Sequence, residues 1–524
     1  MDPNADLFQG VYMADLLVHA LKANWSRPTI YLGDTVLTGG QVHDEMSRYA
    51  QAYASQGLTQ GSPIATLALN RPEVLFASGA NMVTGCRGQA LHPMGSIDDH
   101  AYVLEDAGAE TLIFDPSAFQ ERALQLQERV PSLKRLLALG STEVGVDLPA
   151  LAATFDPKPL RAPKVNGEDV AGLAYSGGTT GRPKGIMSTY RGGAAMTMIQ
   201  MAEWEWPAEV RHLVCTPLSH AGAAFFIPVL LRGGSMVVLP GFDPEKVMKA
   251  IEEYRITSMM LVPTMLYVLL DHPKFGQYDL SSLETVFYGA AAMSPTRLKE
   301  AIGKLGSIFF QFYGQAECPM TITVLRKGDH DTSNLARLAS CGRPVPWVHV
   351  ALLDDDGNEV PDGEPGEICV RGPLTMAGYY NKPEQTAEAM AGGWLHTGDV
   401  ARKDEEGFLT IVDRKKDMIV TGGFNVFPRE VEDVISAHPG VAAVAVIGVP
   451  DEKWGEAVKA VVVKRPGADV DPEELIAMVR AAKGSVQAPK TVDFADAIPL
   501  SPLGKPDKKV LRAQYWANAD RMVN

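Results

Sequence analysis

The chain has 524 residues, 46% of them apolar, and a formal net charge of −15. That length exceeds one ordinary domain and can bury a large core, and the acidic balance excludes a nucleic-acid partner, whose phosphates require a basic face. The start MDPNADLFQG lacks the pattern of a secretory leader, the longest strongly apolar stretch (221–231) is too short to span a bilayer, and the five cysteines and eleven histidines show no C-x-x-C, H-x-x-x-H or H-E-x-x-H spacing, so a soluble cytoplasmic protein without a disulfide framework or a spaced transition-metal motif is expected.

Apolar, β-branched runs at 173–175, 236–239, 286–288 and 308–313 alternate with helical patterns. This alternation predicts an α/β fold with buried parallel strands. The first run leads into YSGGTTGRPKG at 175–185, read as a loop between a strand and a helical stretch. Its glycines allow backbone N–H groups to turn toward a polyphosphate, Thr179 and Thr180 add hydroxyls, and Lys184 adds a positive charge. It is not a Walker A loop, because Lys184 lies between Pro183 and Gly185 rather than before Ser or Thr.

Next comes TPLSHAGAAFF at 216–226, where His220 stands among small apolar residues. The segment FYGAAAMSP at 287–295 ends a strand in Gly289, Ala290 and Ala291, small enough for a flat ring to lie against backbone. QFYGQAE at 311–317 places Glu317 after another strand, and a carboxylate beside a triphosphate suits magnesium, a hard cation. Asp-Gly turns between short apolar runs at 351–372 predict a small β subdomain. WLHTGDV at 394–400 offers Asp399, able to accept two sugar hydroxyls. DRKKD at 413–417 marks the expected domain boundary, followed by a helix at 429–438 and a strand at 441–449. From residue 415 onward there are 15 basic and 15 acidic residues, so the whole −15 lies in 1–414 and the C-terminal part repels an anionic ligand least.

Taken in order, these strings resemble the adenylate-forming superfamily of acyl- and aryl-CoA synthetases, peptide-synthetase adenylation domains and luciferases, from about residue 70 to 512. Gly177 stands where the family more often has Ser, and Ala316 where it more often has Thr. The resemblance implies a large N-terminal domain (1–414) of mostly parallel sheets flanked by helices with a β subdomain, and a small mobile α+β C-terminal domain (415–524). It implies binding of ATP by Ser176, Gly177, Gly178, Thr179, Thr180, Gly181, Lys184, Gln311 and Gly314, and contact with the adenine by Gly289, Ala290, Ala291 and Tyr313. Thr179 and Glu317 would hold magnesium, Asp399 and Arg414 the ribose, and Lys416 would be the hinge. Gly422 and Gly423 would line a pantetheine tunnel, Trp454, with Lys453, would meet the coenzyme A nucleotide, and Lys505 would contact the reacting carboxylate and α-phosphate. His220 would border the acid and gate the incoming thiol, with Ala221, Gly222, Ala223 and Ala224 leaving room for a bulky apolar acid.

The implied reaction joins a carboxylic acid to ATP as an acyl-adenylate with release of pyrophosphate, then passes the acyl group to coenzyme A. Lys505, His220, Glu317 and Thr179 are the expected catalytic residues. Transfer to a free amine, as in amide bond synthetases, is the alternative, since Gln487 replaces the basic residue that many CoA ligases carry before x-Pro. Loading of a peptide-synthetase carrier is disfavoured by PLSH in place of the Phe-Asp motif and by a chain that ends 19 residues after Lys505. No residue argues for luciferase-like oxidation, and a non-catalytic regulator would be expected to lack Lys505 or Glu317. The sequence leaves the identity of the acid and the oligomeric state open.

Overall fold

The computed structural model describes residues 10–33, 35–175, 183–421, 424–451, 454–500 and 506–516. The runs SMML (Ser258–Leu261) and TVFYG (Thr285–Gly289) are apolar at successive positions instead of alternating, as strands covered on both faces are, and every residue of both is buried. They sit in the middle of a nine-stranded sheet among the described residues. Its inner strands run parallel in the order Phe309–Gln315, Thr285–Gly289, Ser258–Leu261, Arg211–Val214, Ser235–Val238 and Pro28–Leu32. Antiparallel strands close both flanks, Cys318–Leu325 on one side and Thr35–Thr38 on the other.

The parallel direction has a functional consequence. It brings the segments that follow Val214, Gly289 and Gln315 to one edge, the carboxyl ends of the strands, where open α/β sheets place their ligands. A seven-stranded sheet contributes the other wall, parallel from Val146–Asp147 through Val170–Tyr175. Its last strand, Gly185–Thr189, pairs antiparallel with Val170–Tyr175. The glycine-rich segment is thus flanked by two antiparallel strands, not by a strand and a helix as expected. The helix Tyr190–Glu203 begins only after Thr189 caps it by accepting the Gly192 N–H.

The expected β subdomain is a four-stranded antiparallel sheet of His349–Leu353, Gly366–Arg371, Leu395–Lys403 and Leu409–Arg414. A one-turn helix, Lys415–Asp417, follows. The C-terminal domain then folds as a five-stranded sheet with helices Pro428–Ser436, Pro472–Lys483 and Lys508–Trp516. It has its own core, in which Ile419, Val431, Ile435, Val446, Val458 and Leu475 are buried together. Among the described residues no helix is long and apolar enough to cross a membrane.

An ionic cluster joins this domain to the rest. The Arg429 guanidinium donates to the Met293 carbonyl at 3.0 Å, the Arg429 N–H donates to Asp413 Oδ2 at 3.1 Å, and Lys508 pairs with Glu432 at 2.8 Å and approaches Asp413 at 3.9 Å. Burial pushes the Asp413 carboxyl up to about 6, against the pull of Lys508. A carboxyl raised on folding contributes stability below its unfolded pKa and loses it as the pH climbs through the folded value. Relative to Asp413→Asn, the wild type is therefore expected to lose on the order of 2 kcal/mol between about pH 4 and pH 7, read from melting curves of both proteins. A difference that stays flat or grows with pH would show that the Lys508 pairing outweighs burial.

Candidate active site

The two strands nearest the site edge explain why its glycines are glycines. A Cβ on Gly289 would stand 2.4 Å from the Phe312 carbonyl oxygen, and one on Gly314 would stand 2.2 Å from the Met320 nitrogen. Close approach of neighbouring backbone, rather than a ligand ring, requires both. The open surface lies one residue on, at exposed Ala290 and half-buried Ala291. Ala290 adopts φ +65°, a left-handed conformation that is unfavourable for a residue with a Cβ by roughly 1–2 kcal/mol and that clusters at ligand sites.

Asp399 is the centre of the first constellation. In the antiparallel register it lies directly opposite Arg414, and the Arg414 Nε reaches its Oδ1 at 3.1 Å. On the other oxygen it accepts the Tyr313 hydroxyl at 2.7 Å and the Gln315 amide at 2.6 Å. Gln315 also donates to the Thr397 carbonyl at 2.8 Å. Burial, with the Asp399 charge added, holds the Tyr313 phenol far above its usual range, so it stays a neutral donor. Burial works hardest against the Arg414 charge, but Asp399, with Tyr313, Asp417 and Glu317 adding to it, more than offsets burial and keeps the guanidinium pKa raised. A carboxylate fixed by three donors, with acceptor capacity left on Oδ1, is suited to a vicinal diol.

The second constellation is built around Tyr379, which the sequence reading did not single out. Its hydroxyl donates to Glu317 Oε1 at 2.9 Å, and the Lys184 ammonium lies 4.7 Å over its ring. Among the described residues Glu317 Oε2 takes no hydrogen bond, which leaves a carboxylate oxygen for a hard cation. The segment after Leu374 makes this meeting happen: the Met376 N–H donates to the Glu317 carbonyl, and the Tyr380 N–H to the Gly185 carbonyl. One stretch of backbone thereby ties the end of the nine-stranded sheet to the strand that follows the glycine-rich segment. Ser176, Gly177, Gly178, Thr179, Thr180 and Gly181 themselves lie outside the described residues, as do Gly422, Gly423, Lys453 and Lys505.

His220 faces His92 edge-on, with ring centroids 4.7 Å apart, and its Nδ1 lies 2.9 Å from the Ser219 hydroxyl. The loop is clamped by Asn70, whose amide donates to the Thr216 carbonyl at 2.9 Å and accepts the Leu218 N–H at 2.8 Å. Phe225, which follows this loop, packs ring against ring with Trp204, Trp206 and Phe287 in the buried core, and Trp204 stacks on Phe312.

Gln311 is buried in mid-strand, where its Oε1 accepts the Tyr288 hydroxyl at 3.2 Å, apart from the Asp399 constellation. The third residue of the strand sits too deep to reach the edge that Tyr313 and Gln315 occupy. Trp454 stands at the turn between Val441–Asp451 and Gly455–Lys464, on a different sheet from Asp399. Lys416 lies in the turn after Arg414, its pKa lowered by burial and by the Arg414 charge.

Comparison with known proteins matches residues 18–380 to the family model "AMP-binding enzyme" and residues 430–505 to "AMP-binding enzyme C-terminal domain". The chain is 56% identical over 521 residues, 97% of its own length and 91% of the relative's, to a medium/long-chain-fatty-acid–CoA ligase, FadD8, of Mycobacterium tuberculosis. It is 37% identical over 494 residues, 92% of this chain and 95% of the relative, to a feruloyl-CoA synthase of an Amycolatopsis species. Among solved structures, the amide bond synthetase McbA from Marinactinospora thermotolerans superposes with a TM-score of 0.88 at 36% identity, covering 96% of this chain and all of that one.

Proposed function

Because the chain belongs to the AMP-binding enzyme family, we propose that it is an ATP-dependent acid–thiol ligase that makes an acyl-adenylate from a medium- or long-chain fatty acid and transfers the acyl group to coenzyme A. The observation that carries this reading is the pair of constellations gathered at the carboxyl end of Phe309–Gln315: Asp399 with Tyr313, Gln315 and Arg414 for the ribose, and Lys184, Tyr379 and Glu317 for the phosphates. The name of the 56% identical relative supports the acid and the acceptor, and the small residues after His220 suit an apolar chain.

The residues divide the work as follows. A carboxylate has no leaving group, and attack of its oxygen on the α-phosphorus of ATP, with pyrophosphate departing, supplies AMP as one. Asp399 fixes the ribose so that the α-phosphate meets the acid at one place. Lys184 faces phosphate charge, and Lys505 is assigned to the oxygens of the acid and the α-phosphate, where charge shifts during attack. Glu317, through its free Oε2, and Thr179 would hold magnesium, which supplies charge neutralisation to the phosphates when bound. His220, held by Ser219 and packed on His92, borders the acyl carbonyl that the thiol attacks.

We place the domain boundary between residues 414 and 415 and the hinge at Lys416, about which the C-terminal domain exchanges Lys505 for Gly422 and Gly423 between the two half-reactions. The buried free cysteines fit a reducing cytoplasm. Lys416→Pro is expected to leave pyrophosphate release near wild type and to slow thioester formation, because proline fixes the φ that a hinge must change. Single-turnover rates of each half-reaction decide this, and equal slowing of both would remove Lys416 from the hinge.

The acceptor has a direct test. Fatty acids of graded length, and ferulic acid as an aromatic control, are supplied with ATP and with either coenzyme A or a panel of amines at equal concentration. Thioester is expected to form faster than amide with the fatty acids. Faster amide formation would favour the second reading, which Gln487 and the fold match to an amide bond synthetase support, and would leave the adenylation step intact.

A further inference from the structure

From three side chains gathered on the four-stranded sheet, we propose a second metal site, separate from the ATP cation: Glu367, Cys369 and His396 bind one zinc-like divalent ion. Cys369 and His396 are cross-strand partners, and Glu367 precedes Cys369 by two residues on the same strand, so all three share one face. The Cys369 Sγ is 3.4 Å from His396 Nδ1, which is 3.1 Å from Glu367 Oε2. Ligands at zinc distances in a tetrahedron are separated by about 3.3–3.6 Å. The cluster is thus already near the size of a coordination sphere.

The surroundings orient it. His396 Nε2 lies 3.2 Å from the Ala391 carbonyl, a partner that requires the proton on Nε2 and turns the Nδ1 lone pair inward, the arrangement that supports metal-bound imidazoles. In the neutral ring Nδ1 and Oε2 are two acceptors facing each other, and a cation between them satisfies both. The other Glu367 oxygen is occupied, accepting the Gly398 N–H at 2.9 Å. Cys369 is fully buried with Ala351 and Leu353 beside Trp394, an apolar wall against water. Lys415 is 3.4 Å from Glu367 Oε2 and 2.6 Å from Asp355. It has a second carboxylate to hold it when the ion takes Oε2. A mixed sulfur, nitrogen and oxygen set selects zinc and its neighbours over magnesium or calcium.

The site shares a feature with the nucleotide pocket. The pairing of Gly366–Arg371 with Leu395–Lys403 shifts register between Glu367 and Cys369, and the residues this displaces, Thr397 to Asp399, present Asp399 to the ribose and Gly398 to Glu367. An ion bound on one side of that bulge stiffens the segment that carries Asp399 on the other.

The test strips the full-length protein with a chelator and titrates it with zinc chloride, using cobalt(II) as the spectroscopic probe. One ion per chain is expected, with a thiolate-to-cobalt charge-transfer band in the near ultraviolet. Cys369→Ala is expected to abolish the band, and His396→Gln to weaken binding by more than the roughly 10- to 100-fold typical of losing an outer partner. Lys415→Gln is expected to tighten binding by removing a competing cation. The absence of a thiolate band in the wild type would overturn the site and leave His396 and Glu367 as a simple ion pair. A band that survives His396→Gln at unchanged affinity would overturn it too, so the decision stands even if Cys369→Ala fails to fold.

Discussion

Replacing Lys505 with alanine is expected to lower the rate of acyl-adenylate formation from acid and ATP by about 10²- to 10³-fold, the usual effect of deleting one donor aimed at developing charge. Thioester formation from a supplied acyl-adenylate is expected to stay within a few-fold of wild type. The asymmetry follows from the proposed hinge. A lysine on a domain that turns away between the steps serves only the first, whereas Lys184 and Glu317 lie in the larger domain and stay in place. The measurement is pyrophosphate release against thioester yield from chemically prepared acyl-adenylate. Equal loss in both would mean that Lys505 stabilises the fold or serves a site that does not change.

The second large effect is expected at Asp399. Asp399→Asn keeps the volume but removes the charge that binds Arg414 and replaces one acceptor oxygen with a donor facing it. Hydrogen bonds to a charged group are worth about 1.5–3 kcal/mol each, so losing one or two to the ribose predicts a fall of about 10²-fold in kcat/KM for ATP. The fall should appear mainly in the KM for ATP. Tyr313→Phe, which leaves the carboxylate in place, is expected to lose less. If Asp399→Asn raised the KM for the acid instead, the carboxylate would belong to the acyl site and the ribose assignment would fail.

How much of this site the sequence reveals depends on whether a residue's partner is local. Glu317, Asp399 and Arg414 stand in strings whose neighbours announce a strand end or a turn, and the structure brings Asp399 and Arg414 face to face. Tyr379 and Asn70 carry no such local mark. Tyr379 meets Glu317 only because backbone bonds pin the Met376 and Tyr380 amides to two different sheets. Asn70 matters only because its amide fits between the Thr216 carbonyl and the Leu218 N–H. Gln311 shows the converse, since its string marks a strand end but its depth in that strand turns it to Tyr288. The five residues of Gly185–Thr189 are too few for a period to separate strand from helix, and the antiparallel partner that decides them is not encoded locally. The cluster of Glu367, Cys369 and His396 escaped motif spacing for the same reason: its members are neighbours across strands, not along the chain.

The clamp on Asp399 also dictates when, during synthesis, the enzyme first becomes able to hold its nucleotide. Tyr313 and Gln315 are translated long before Asp399 and Arg414, at separations of 86 and 84 residues from Asp399, and the Asn70 bond that fixes the His220 loop spans 146. Contacts of such range form late, after most of the loop entropy has been surrendered. A nascent chain that has not yet released residue 414 from the ribosome therefore carries a long exposed strand edge and no ribose clamp, so ATP cannot steady it. Only contacts within the released chain steady the partly made protein, and ligand-driven stabilisation begins once the final fifth of the chain is under way.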